Sequence, residues 1–519
     1  MKKFTALLLA LALLLTPCAF ARAKTYSAGD FEFKMLLNRT LEIIKYSGKD
    51  TELTLPSELA DIPVTSVAAG VFSMNKKLTK VTIPASITKI DGNAFARCPK
   101  LTSFEVAPGN TAFYTVDGVL FRKKGSELVS YPFARAAESY AIPEGTLSVG
   151  DSAFYFVDSL KEITFPESLT SIGDCAFYKC TALTAAALPE GVKSIGYEAF
   201  GGCESLTYAS LPASAVKLGD NPFAGCVSLT EINVAEGSAK YEDIGGVVFD
   251  KEQKKLICYP AGAVSESYTI PAGTLSIGDY AFSGCANLAE VTLCEGITRV
   301  PDNAFEYCES LKKAVLPDSV TSIGAAAFYF CEALESVNIP AGVTRIESFA
   351  FEHCDGVRSL TLPEGVTSIG EAAFFGMRAL EEIKLPDSIT SIGEMAFSLC
   401  PALKAVKVPA GVRYIGEQTF FMCDSLAEIN LPFGLTGIGD RAFIGCPITA
   451  LELPETLTHI GAAAFSGCAC LEELAIPAGV TSIGANAFGN CFRLTLKVAP
   501  NSRAEKYAKE NGIKYVCEE

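Results

Sequence analysis

Nineteen cysteines, two histidines and a surplus of carboxylates are the residues of this 519-residue chain whose types could do chemistry. Cysteine and histidine at the right spacing bind zinc, and paired carboxylates hydrolyse glycosides. Thirteen of the cysteines, from Cys98 through Cys180 and Cys331 to Cys491, fall three residues after a recurring phenylalanine. Thiols that repeat with a structural unit read as a packing ladder of small buried apolar groups, and Asn75, Val157 and Met377 take the same place in other units. Cys18, Cys175, Cys258, Cys294, Cys470 and Cys517 lie off that ladder. Cys468 and Cys470 are too close along the chain for a relaxed disulfide, and no C-x-x-C pair is present to suggest zinc. His353 and His459 lie between four and five repeat units apart, so they cannot share a metal ion. Glu231 and Glu290 could meet across units, yet acidic residues are plentiful and a solvated face is the simpler reading. No catalytic, cofactor-binding or metal-ligating residue is assigned, no cofactor is expected, and a protein that is not an enzyme is predicted.

The element that positions these residues is a 23-residue period. Its phenylalanine anchor runs from Phe72 and Phe95 to Phe488, in steps of 23 except one of 22, between Phe443 and Phe465, and two of 59, from Phe95 to Phe154 and from Phe223 to Phe282. Each unit opens with an alternating stretch such as Glu162-Ile163-Thr164-Phe165, which reads as a half-buried strand. Proline follows at 14 of the 16 equivalent positions and stops the strand by removing a ladder donor. A second short extended piece leads to glycine and then to an Ala-Phe turn. That glycine is present in 12 of 16 units, but Pro301 and Glu347 also occupy its place, so crowding selects it and not a left-handed backbone. One such coil cannot bury its apolar side alone, whereas stacked coils can. The fold predicted is a repeat solenoid of leucine-rich-repeat-like coils of 23 residues with short parallel strands, about 16 coils and two hairpin insertions.

Around this array the chain divides into a signal peptide at 1–23, an N-terminal cap at 24–60, a solenoid at 61–498 and a C-terminal cap at 499–519. Lys2 and Lys3, the apolar run that follows and Ala21-Arg22-Ala23 make the leader. Pro17 stands where a small residue would precede a lipidated Cys18, which disfavours lipidation. Loss of Lys2, Lys3 and Arg22 takes the net charge from −16 to −19, which argues against nucleic acid as a partner. No later stretch has the length to span a bilayer, so no transmembrane segment is expected after signal removal. The two 59-residue steps are copies of one module offset by 128, with hairpins expected near 107–142 and 235–270, standing off the coils.

The run Leu362-Pro363-Glu364-Gly365-Val366-Thr367-Ser368-Ile369-Gly370-Glu371-Ala372-Ala373-Phe374 resembles the repeat of the BspA-like bacterial leucine-rich repeat surface proteins, with Met377 in place of the usual cysteine. The resemblance implies an extracytoplasmic interaction protein, since some members of that family attach to host matrix and plasma proteins or to other cells. It carries no catalytic residues. The expected role is a secreted or cell-surface protein that mediates protein–protein or cell-adhesion interactions with a protein or cell-surface ligand. A structural cell-envelope or spacer protein is the alternative, followed by a glycan-acting enzyme. The candidate binding surface is the outward strand row, Glu162, Thr164, Tyr208, Ser210, Glu231, Asn233, Glu290, Thr292, Glu382, Lys384, Glu428 and Asn430, with Phe113, Tyr131 and Tyr259 as candidate hairpin contacts, against the alternative that these aromatics simply pack the hairpin onto the coils.

Overall fold

A computed structural model describes residues 25–518, and the expected leader, including Cys18, lies outside them. The chain forms two compact units divided between Tyr241 and Glu242. Each is a stack of coils with parallel strand pairing between successive turns.

The coil around Phe397 shows how the residues set the structure. Its first strand, Glu382–Lys384, pairs in parallel with Ser359–Thr361 and Ala405–Lys407, burying Ile383 and leaving Glu382 and Lys384 outside. Pro386 then turns the chain, its carbonyl accepting from the Ile389 N–H at 3.2 Å. The second strand, Ser391–Ile392, pairs with Ser368–Ile369. Gly393 follows outside the left-handed region, and a Cβ there would lie 2.5 Å from the Glu371 nitrogen. Crowding by the preceding coil therefore selects glycine, as the pattern of replacements predicts.

Left-handed backbone does occur, at residues two before and two after the anchor. Met395 (φ 54°) and Leu399 (φ 56°) adopt it here, and the same two places repeat it in coil after coil, mostly without glycine. Such a residue costs roughly 1–2 kcal/mol. The offsetting gain is that Met395, Phe397 and Leu399 all aim their N–H groups at the next coil, donating to Glu417, Thr419 and Phe421 at 2.8–2.9 Å. Each coil thus has three rows of intercoil bonds, two between strands and one along the turn.

Inside, Phe397 stacks on Phe374 and Phe420 with centroids 5.3 and 5.4 Å apart. In unit 2 the buried side chains join into one cluster from Val247 to Ala508. The cysteine ladder has a role beyond packing. Cys400 Sγ donates to the Phe374 carbonyl in the preceding coil at 3.1 Å, Cys331 to Phe305 at 3.1 Å and Cys203 to Phe177 at 3.2 Å. Burial pushes the thiols up, Cys98 to about 11 and Cys400 to about 12, so they stay protonated and able to donate. Met377 has no donor to offer. Every described cysteine is a free thiol.

The hairpins are present, but they are built into the stack. In unit 1, Phe113–Val116 pairs antiparallel with Val119–Arg122, and that strand with Glu127–Ser130. Glu127–Ser130 then joins Ser148–Val149 in parallel, so the hairpin's last strand is itself a coil strand. Tyr131 stacks on Phe154 at 4.9 Å and Tyr259 on Phe282 at 5.1 Å, each as a further rung of the phenylalanine ladder. Phe113, Tyr131 and Tyr259 are only 1%, 3% and 4% exposed. Their assignment as hairpin contacts is corrected accordingly: the hairpin's consecutive apolar residues Val119, Leu120 and Phe121 are buried on both faces, which draws it into the core.

At the N-terminal end an antiparallel meander, Thr25–Ala28, Phe31–Met35 and Leu41–Tyr46, passes into the parallel ladder through Ile62–Val67. At the other end the helix Arg503–Asn511, capped by Ser502, brings Tyr507 to 6.1 Å from Phe488. The strand Lys514–Cys517 then pairs with Thr495–Val498 and becomes the new edge, four residues long.

The thiol's part can be separated from its bulk. Cys331→Val keeps a small apolar side chain, as the chain itself does at Val157, but removes the donor. It is expected to lower stability by about 0.5–1.5 kcal/mol in urea unfolding. An unchanged midpoint would return the thiols to a purely steric role.

Candidate binding surfaces

The outward strand residues form rows on one face of each unit, because alternate residues of a strand share a face and parallel pairing in register sets equivalent positions side by side. In unit 1, Glu162 and Thr164 are exposed opposite Ser139 and Ala141. Tyr208 stands 45% exposed, Ser210 is half-buried beside Asn233, and Glu231 is exposed. In unit 2, Glu290 and Thr292 are half-buried, and Glu290 pairs with Lys313 at 2.7 Å. Glu382, Lys384, Glu428 and Asn430 are exposed, with Asn430 opposite Lys407. Beside this row, Arg358 and Lys404 flank Glu381, and Lys404 holds its carboxyl below the usual carboxylate range. Exposed pairs of this kind contribute little to stability, so a ligand can displace them cheaply.

A second row runs along the turn edge, at the two positions after each anchor. Sequence reasoning passed over it because these positions vary from coil to coil. In unit 1, Arg97 lies with its guanidinium 4.1 Å above the Phe156 ring, and Tyr155 stacks on Tyr178 at 5.3 Å. In unit 2, Tyr307 packs against Tyr329 at 5.6 Å and Phe330 at 5.4 Å. Phe330 in turn meets His353 at 4.4 Å, and His353 meets Phe375 at 5.6 Å. Tyr307 is 43% exposed, and the others are half-buried. In the same row, partial burial pushes the Glu352 carboxyl up to about 7. The only possible sequence signal was the aromatic content of Tyr329-Phe330 and Tyr155-Phe156 just after the anchor.

The histidines occupy different edges. His353 is in the turn row, its Nδ1 3.7 Å from Asp355, while His459 begins the strand His459–Ile460. Glu231 is in unit 1 and Glu290 in unit 2. Among the described residues no group of three or more His, Cys, Asp or Glu side chains could hold a metal ion, and no helix is long and apolar enough to cross a membrane.

A family profile described as the BspA type leucine rich repeat region matches residues 45–122, 127–255, 261–358, 344–469 and 392–508. Among solved structures, a leucine-rich cell surface protein from Faecalibacterium prausnitzii is 26% identical over 79% of this chain and 96% of its own, with a TM-score of 0.41. A leucine-rich repeat protein from Bacteroides ovatus is 23% identical over 97% of this chain and 100% of its own, also at 0.41. One from Eubacterium ventriosum is 21% identical over 86% and 95%, again at 0.41. No curated protein matches the chain.

The half-buried Glu352 makes a pH prediction. Its folded value, about 7, stands above the ordinary 4.5, so its contribution to stability is full below pH 4.5 and is lost as pH rises through 7. Glu352→Gln, neutral throughout, should melt higher than wild type at about pH 8 and at the same temperature near pH 4. A difference that does not vary with pH would contradict the assignment.

Proposed function

The chain belongs to the BspA-type leucine-rich repeat family, and from that membership we propose that it is a secreted or cell-surface binding protein that mediates protein–protein or cell-adhesion contacts. The observation that carries this reading is the outward strand row, which repeats in register and faces solvent in each unit. Strand faces made of Glu, Thr, Ser, Asn and Lys supply many modest polar contacts. Binding energy usually centres on Trp, Tyr and Arg, and Tyr208 is the one aromatic among the candidate strand positions. Such a surface suits an extended macromolecular partner, held by many weak contacts, better than a small molecule enclosed in a pocket. The family's occurrence at bacterial surfaces and the leader read in the sequence point the same way.

Binding of residues 24–519 to immobilised fibronectin, fibrinogen and whole bacterial cells tests this. Saturable binding is expected, weakened about fivefold or more by the charge reversals Glu382→Lys and Glu428→Lys, which leave the core untouched. Absence of saturable binding, together with firm retention on isolated cell envelope, would replace this reading with a structural one.

A further inference from the structure

The turn row of unit 2 offers a site for a cation that the chain does not fill itself. In unit 1 the same kind of row is completed internally, with Arg97 placed 4.1 Å over Phe156. Arg97 and Phe156 each stand two residues after an anchor, Phe95 and Phe154. In unit 2 the corresponding positions are Gly284, Tyr307, Phe330 and His353. Gly284 is the immediate neighbour of this row, its N–H bonded to the Glu306 carbonyl at 2.8 Å, and it brings no side chain to cover Tyr307. Three aromatic rings, Tyr307, Tyr329 and Phe330, lie within 4.6–5.6 Å of one another, and the exposed one is Tyr307.

The charged side chains that act most strongly on this cluster share one sign. The side chains that act electrostatically on the Tyr307 and Tyr329 hydroxyls include Glu306, Glu309 and Glu352, with no basic group among them. At the far end of the row, beyond His353, Arg378 pairs with Asp355 at 3.4 Å. An aromatic face with an acidic rim attracts a desolvated cation through the ring quadrupole and the carboxylates together. Guanidinium fits better than ammonium, because it is planar, stacks on rings and is more weakly hydrated.

We propose that Tyr307, Tyr329 and Phe330, with Glu309 at their rim, bind an arginine side chain presented by a polypeptide partner, in the way Arg97 sits on Phe156 within the chain itself. This site is on the turn edge, away from the strand row proposed above, and its test does not depend on finding the natural ligand. Failure at one surface leaves the other standing.

The full mature chain is titrated with a fluorescein-labelled peptide of alternating Arg and Gly, beside the same peptide with Lys in place of Arg, at about 0.15 M salt, where long-range attraction to the acidic surface is screened beyond ~8 Å. The protein variant is Tyr307→Gly/Phe330→Gly. Glycine is what the chain places at this position in the coils of Gly284 and Gly376, both in the left-handed region, so the variant should fold, and a matching melting curve checks it. Expected are saturable binding of the arginine peptide, weaker binding of the lysine peptide and at least a fivefold loss in the variant, whose charge is unchanged. Equal binding by variant and wild type, a lysine peptide that binds as tightly, or no binding of the arginine peptide would overturn the proposal. Should the double variant melt early, Tyr307→Gly alone supplies the same comparison.

Discussion

Successive coils are separated by a single β-strand spacing of about 4.8 Å, and nearly everything else in the structure follows from it. Flat rings fit that spacing, and anchor rings such as Phe397 and Phe420 lie 5.4 Å apart and within 3° of parallel. The glycine after the second strand answers the same pressure, because a methyl group at Gly393 would press on the Glu371 nitrogen. Thiols answer it too: a small group fills the corner of the coil and turns a proton toward the preceding phenylalanine carbonyl, as Cys331 does toward Phe305, whose carbonyl already accepts the Cys308 N–H in its own coil. The repeat is therefore less a motif than the set of residues compatible with one distance.

This explains which parts could be read from the chain. The 23-residue register, the strand-ending prolines and the crowded glycine are each dictated by stacking and recur often enough to be seen. The helix after Ser502 carries its own sequence signs, a serine cap and a run rich in Ala, Lys and Glu. Two rungs were hidden because tyrosine replaces phenylalanine at Tyr131 and Tyr259, and proline follows where the turn would continue, though each lies 23 residues before the next anchor. The left-handed residues beside each anchor carry no glycine signature, since the hydrogen bonds they free offset their cost. The strand row was readable as a surface because alternation fixes which side chains point out. The aromatic turn row was not, because nothing in the stack dictates its residues.

That difference bears on function. Positions under the stacking constraint serve the fold in every coil, while positions free of it differ between units: Arg97 covers an aromatic ring in one, and Gly284 leaves the row open beside Tyr307 in the other. Solenoids of this kind vary what they hold by changing residues that the core does not see. The carboxylates follow the same division. Glu381 on the strand side is held ionised by Lys404, whereas Glu352, half-buried in the turn row, is pushed toward neutrality.

The turn row also has a direction. Met395, Phe397 and Leu399 send their N–H groups toward the C-terminal neighbour, and the intervening carbonyls, such as that of Ala396, receive from the coil before. In a parallel sheet alternate peptides point opposite ways and largely cancel, but here the peptide dipoles within a unit add, coil upon coil. The stack is in this sense an electret, negative toward its first coil and positive toward its last, the reverse of an α-helix read along its chain. The coil of Asn486, Phe488 and Asn490, the last of unit 2 among the described residues, is thus the positive pole of that array, in a chain whose 59 acidic side chains outnumber its 43 basic ones.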